Sequence, residues 1–151
     1  EIAVDLGDSR VSSTATADHV IGVNAANPAA AADGCQIATL SVATHGHITY
    51  AEIFCLETPT TGEPDIDLVL GNEVTDEQGD VVTGADVLLA GGGDFTLGAR
   101  TASAVGFLNM DSDSKTHLFL TCGAAGTAGL YDGGKLLITL EGIASDAVPD
   151  A

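Results

Sequence analysis

The residues suited to chemistry in this 151-residue chain are few and scattered. His45 and His47 are one residue apart, which on an extended strand puts both imidazoles on the same face, a spacing that can hold a transition metal. Such a site needs a third and a fourth ligand, and neither His19 nor His117 stands at a diagnostic distance. The pair therefore reads first as polar residues at the mouth of a turn. Two acidic turns, Asp76-Glu77-Gln78-Gly79-Asp80 and Asp111-Ser112-Asp113-Ser114, present several oxygens to a hard cation. Neither has the ligand spacing of an EF-hand loop, and Asx-turns explain both, so Asp111 and Asp113 are expected to hold at most a weakly bound cation. Glu63, Asp65 and Asp67 share one face of an alternating segment, and paired carboxylates are what glycoside hydrolysis uses. The same alternation describes the solvated outer face of a strand, which is the expectation.

Nucleophilic chemistry has no better footing. No serine lies in a G-x-S-x-G elbow. Gly91-Gly92-Gly93 lacks the pattern of a phosphate-binding loop and reads as a place where backbones pack closely. Cys35, Cys55 and Cys122 are an odd number, with no catalytic signature around any of them. Buried free thiols are the default reading, with one Cys55–Cys122 or Cys35–Cys55 bridge as the alternative. The expectation is a protein that is not an enzyme and has no catalytic residue and no cofactor.

The elements that must position these residues are strands. His47–Glu57 is apolar on both faces, with Ile48, Tyr50, Phe54 and Leu56 on one side and Ala51, Ile53 and Cys55 on the other. A strand of that kind must be covered on both sides, so Tyr50, Ile53 and Phe54 are expected at an oligomer interface. Asp65–Gly71 alternates, with Ile66, Leu68 and Leu70 inward and Asp65, Asp67 and Val69 outward. Gln36–Ala43, Val81–Thr83, Val87–Ala90, Phe95–Arg100, Thr116–Cys122 and Lys135–Ile143 complete the set. Residues 24–34 read as a loop, and no long helical periodicity appears. The expected fold is all-β: a single-domain, jelly-roll-like β-sandwich of about eight short antiparallel strands with an extended N-terminal arm. The arm, with one strand around Ile2–Leu6, and the loop take residues 1–34, the core 35–144 and a C-terminal tail 145–151. The opening EIAVDLGDSR has neither the basic nor the apolar region of a secretory leader and lacks Met, so it reads as a trimmed or partial start.

Composition narrows the function further. There are 22 acidic residues against 4 basic ones, a formal net charge of −18, which argues against nucleic-acid binding through a basic surface and against docking on an anionic membrane. Aromatic residues are 4% of the chain and there is no Trp, so stacking platforms for bases or sugars are poorly supplied. Asp dominates and Lys is rare, which suits either an ordinary acidic soluble surface or a salt-rich environment that screens self-repulsion.

From residue 45 to 143 the order of segments is HITYAEIFCLETPTTG, PDIDLVLG, an acidic Gly turn, DFTLGARTA, LFLTCGAAGTAG and GGKLLITLEGI. This order resembles small jelly-roll capsid decoration (cement) proteins and head-fibre bases of tailed viruses. The resemblance rests on Gly/Ala turn chemistry and alternation, covers about two-thirds of the chain, and leaves out the residues before about 35. It implies a structural protein on the virion, on the capsid exterior, with the major capsid protein as partner and self-association as a homotrimer. It brings no catalytic or cofactor residues. Two rivals belong to other classes. One is a carbohydrate- or receptor-binding β-sandwich, for which only Tyr50, Tyr131 and four Phe are available; the other is a cupin-type enzyme using His45 and His47.

Overall fold

The computed structural model describes residues 1–7, 11–23, 35–73, 75–103 and 116–144. These residues form strands β1 (Ile2–Asp5), β2 (Val11–Ser13), β3 (Val20–Val23) and β4 (Ala38–Thr39), a helical turn α1 (Val42–His45), and strands β5 (His47–Thr60) and β6 (Ile66–Gly71). Strands β7 (Asp86–Leu89), β8 (Arg100–Ser103), β9 (His117–Cys122), β10 (Gly129–Leu130) and β11 (Gly133–Ile143) follow.

The strands make two antiparallel sheets. One is four-stranded, in the order β1-β11-β5-β8; the other runs β10-β2-β3-β9-β6-β7, with β4 also paired to β9. Each early strand meets a late one: β1 pairs β11, β3 pairs β9, β5 pairs β8 and β6 pairs β7. The first half of the chain thus lies against the second like one long hairpin rolled into two layers, which is the winding of a jelly roll.

Side-chain alternation builds the core between the layers. Leu136, Ile138 and Leu140 of β11 stand opposite Cys55, Ile53 and Ala51 of β5. They pack towards Ile66, Leu68 and Leu70 of β6 and Leu118, Leu120 and Cys122 of β9. A bulge where Glu141 and Gly142 face Tyr50 and Ile48 resets the alternation and returns Ile48 to the core, where it is 2% exposed.

Several expectations from the sequence need correction. The N-terminal segment is not only an arm: the strand expected around Ile2–Leu6 is β1, an edge strand on β11, while β2 and β3 belong to the other sheet, and Leu6 is buried. Three alternating apolar residues, Ile2, Val4 and Leu6, suffice to hold β1 once β11 offers an edge. The Gln36–Ala43 strand shrinks to β4, because the Ser41 side chain caps α1 by accepting from the Thr44 N–H, and Gly46 ends the turn at φ 69°. Residues 95–99 are irregular, and the strand expected there begins only at Arg100.

Ile53, assigned to an oligomer interface, is fully buried between the sheets and serves the core of its own chain. Val69 and Asp67, expected outward and solvated, are 3% and 8% exposed. The segment 76–83 folds over that outer face, where Val82 joins Val20, Val69 and Phe119 in a second apolar cluster. Asp76 holds the cover down by accepting from the Thr83 N–H at 2.8 Å and the Thr83 hydroxyl at 3.0 Å. The Val20 N–H donates to the Asp80 carbonyl from the strand beneath. The segment 76–83 therefore covers the middle of the larger sheet's outer face, while Val87 on the edge strand β7 stays 53% exposed.

Candidate assembly face

The four-stranded sheet is different. Its outward positions run across the strands in register: Ala3 opposite Leu137, Leu137 opposite Phe54, and Phe54 opposite Arg100. The next row places Thr139 against Glu52 and Glu52 against Ala102, and Tyr50 lies opposite Glu141. Phe54 and Leu137 are half-buried, and Leu56 is 45% exposed. An apolar strip thus crosses the middle of the sheet.

Charge is arranged around that strip in pairs. Arg100 Nε donates to Glu52 Oε2 at 2.7 Å, Arg100 Nη2 donates to the same oxygen, and the Tyr50 hydroxyl donates to it at 2.5 Å. Arg100 Nη2 also reaches the Tyr50 oxygen at 3.2 Å. Hydrogen bonds from Arg100 and then Tyr50 hold the Glu52 carboxyl below the usual range, while its acceptance by Glu52 pushes the Tyr50 phenol up. At the other side Lys135 Nζ sits 2.8 Å from Glu57 Oε2, which lowers Glu57 and raises Lys135. Asp5 stands directly opposite Lys135, and Glu141 marks the far end. Arg100 and Lys135 are the only lysine or arginine side chains among the described residues, and both lie on this face. As exposed pairs they add little to folding stability; their effect is on the potential of the surface.

The other predicted site residues are not brought together. His45 lies in α1 and His47 opens β5, with the turn at Gly46 between them, so they do not share a strand face. His45 Nδ1 accepts the Ser41 N–H at 3.0 Å, and His47 is 6% exposed. Among the described residues no three His, Cys, Asp or Glu side chains are grouped to hold a metal. Asp111 and Asp113 lie outside the described residues.

Two of the acidic trio, Glu63 and Asp67, are tied into the fold through backbone N–H groups. Glu63 is 3% exposed and accepts the Thr127 N–H at 2.8 Å and the Asp65 N–H at 3.2 Å. Asp67 Oδ1 accepts the Gly91 N–H at 2.7 Å, and Gly91 packs so close to the Ile66 carbonyl that no side chain would fit there. Cys55 and Cys122 are buried free thiols, both pushed up by burial.

An intersheet cleft of about 240 Å³ opens at one end of the sandwich, lined by Ile2, Leu40, Ile48, Ile138 and Leu140 with His45 at its rim. It is smaller than the roughly 300–1,000 Å³ of ordinary ligand pockets.

Of the residues on this face, the sequence reading named Tyr50 and Phe54 and did not name Leu137, Arg100, Glu52, Lys135 or Glu57. For Leu137, Glu52 and Lys135 the signal was parity, since each is on the off-beat of a strand whose alternate positions are core, whereas Arg100 and Glu57 were joined to them only by register across strands. No protein-family model, curated protein or solved structure matches the chain.

Proposed function

We propose that this chain is a non-enzymatic structural protein of a virus particle, decorating the capsid exterior as an oligomer, a homotrimer in the family it resembles, that bridges major capsid subunits. The observation that carries the reading is the open outer face of the four-stranded sheet, an apolar strip bordered by paired charges on a chain of net charge −18. Such a face suits attachment to protein, because Glu52, Glu57, Arg100 and Lys135 are already paired and Leu56 is 45% exposed. The jelly-roll winding is an architecture that capsid proteins share with lectins and cupins, so the fold alone does not choose among them. The site residues favour the structural reading. Tyr131 is 1% exposed, which removes it as a sugar-stacking ring. His45 and His47 are held apart by the Gly46 turn, which is no start for a cupin centre.

Immunogold labelling of purified virus particles with an antibody against this chain tests the proposal. Gold on the head exterior is expected. Label found only on cells, or a positive glycan array with unlabelled particles, would replace it with the receptor-binding reading.

A further inference from the structure

We propose that the outer face of the larger sheet, next to the cover formed by residues 76–83, holds a calcium ion between Asp65, Asp67 and Thr121. Alternation puts the three on one face. Asp67 stands directly across the ladder from Thr121, and further along the same pair of strands the Gly123 N–H donates to the Asp65 carbonyl at 2.8 Å. Thr121 is 1% exposed, yet its hydroxyl has no hydrogen-bond partner. Asp65 Oδ1 is likewise closed off from solvent without a partner. Two unsatisfied oxygens beside a buried carboxylate are costly to a fold unless a ligand engages them.

Glycine makes the space. A Cβ at Gly123 would lie 2.5 Å from Asp65 Oδ1 and 2.9 Å from Asp67 Oδ1, so both oxygens lean over the same bare backbone. Gly91 flanks them: its N–H donates to Asp67 Oδ1, and a Cβ there would meet Asp65 Oδ1 at 2.8 Å. A cation about 2.3–2.6 Å from each oxygen can bridge atoms placed this way. Asp18 adds negative charge from the rim, because its N–H donates to the carbonyl of Cys122, between Thr121 and Gly123. Against it the described residues supply no lysine or arginine, since Arg100 and Lys135 both lie on the four-stranded sheet. Burial, and then the charges of Asp65 and Asp18, push the Asp67 carboxyl up, an imbalance that a bound cation relieves. The side-chain donors are two carboxylates and a hydroxyl, with no His or Cys among them, which selects a hard cation. Calcium tolerates an irregular shell of about six to eight oxygens, water included, where magnesium demands a strict octahedron.

Calorimetric titration of calcium chloride into the chelator-treated full chain tests this, together with melting temperatures in EDTA and in about 10 mM calcium at matched ionic strength. One stoichiometric site and a melting temperature higher by on the order of 5 °C are expected. Asp65→Asn keeps the shape and removes the charge; it should retain the wild-type circular dichroism and weaken the site at least roughly tenfold. Thr121→Val should also weaken it, while leaving the chelated protein at least as stable, because the hydroxyl it removes has no partner. Glu141→Gln, on the other sheet, should change nothing. Diffuse uptake with no discrete site, as a net charge of −18 alone would give, overturns the inference. So does a site that keeps its affinity in a folded Asp65→Asn, as one at the acidic turns 76–80 or 111–114 would, or one that magnesium fills as tightly. The result is independent of particle labelling, so the cation site and the decoration role stand or fall separately.

Discussion

The Tyr131 hydroxyl donates to the Glu63 carbonyl over 2.6 Å, and the two residues are 1% and 3% exposed. Around this bond the Glu63 N–H donates to Ser13 Oγ at 2.8 Å, and the Ser13 hydroxyl donates to the Thr127 carbonyl at 3.0 Å. The junction ties β2, the entry to β6 and the approach to β10 into one buried polar network. Tyr131→Phe keeps the ring and removes the donor, leaving a buried carbonyl unsatisfied. The expected loss is about 1–3 kcal/mol, read by urea unfolding. An unchanged midpoint would mean the bond contributes nothing net.

Asp67 gives a pH dependence. Burial raises its carboxyl above the ordinary range, the Gly91 N–H opposes that, and the nearby charges of Asp65 and Asp18 add to it. A carboxyl whose folded pKa exceeds its unfolded value stabilises the fold when protonated; that stability is complete below the unfolded value and is lost as pH rises through the folded one. Asp67→Asn keeps an acceptor for Gly91 and removes the charge. Its melting temperature at neutral pH should exceed that of wild type by on the order of 2–4 °C, with the gap closing in acid. A lower melting temperature at pH 7 contradicts the assignment.

The two faces of β5 can be separated by mutation. Ile53→Ala, at a fully buried position, should cost about 2–5 kcal/mol through the lost contacts and the cavity left behind. Leu56→Ala, 45% exposed in wild type, should change stability by less than about 0.5 kcal/mol. Equal costs at the two sites, measured on the dilute protein, would show that Leu56 is covered within its own chain.

Net charge predicts the response to salt. At −18 the folded chain repels itself, so raising ionic strength should raise the melting temperature progressively until screening is complete. Sodium chloride and potassium chloride should act alike, because screening depends on ionic strength. A melting temperature that falls with salt would instead make the Arg100–Glu52 and Lys135–Glu57 pairs the dominant electrostatic contribution.

The sequence by itself determined the strands and their beat. Ile66, Leu68 and Leu70, or Leu136, Ile138 and Leu140, face one way because successive side chains on a strand point to opposite sides. The Gly and Asp turns between them exclude long helices, and the carboxylate excess excludes an ordinary nucleic-acid surface. Tertiary structure decided what lies on each face. Val69 and Phe54 both stand on the off-beat of apolar strands, yet Val69 is sealed under the segment 76–83 and Phe54 is left half open. Ile53 looked available for a neighbour until the second sheet closed over it. Strands β1 and β3 found their places in the sheets through partners far along the chain, β1 on β11 and β3 on β9. Alternation is a local property of the chain, whereas cover and pairing depend on contacts between distant segments, which exist only once the two layers have closed.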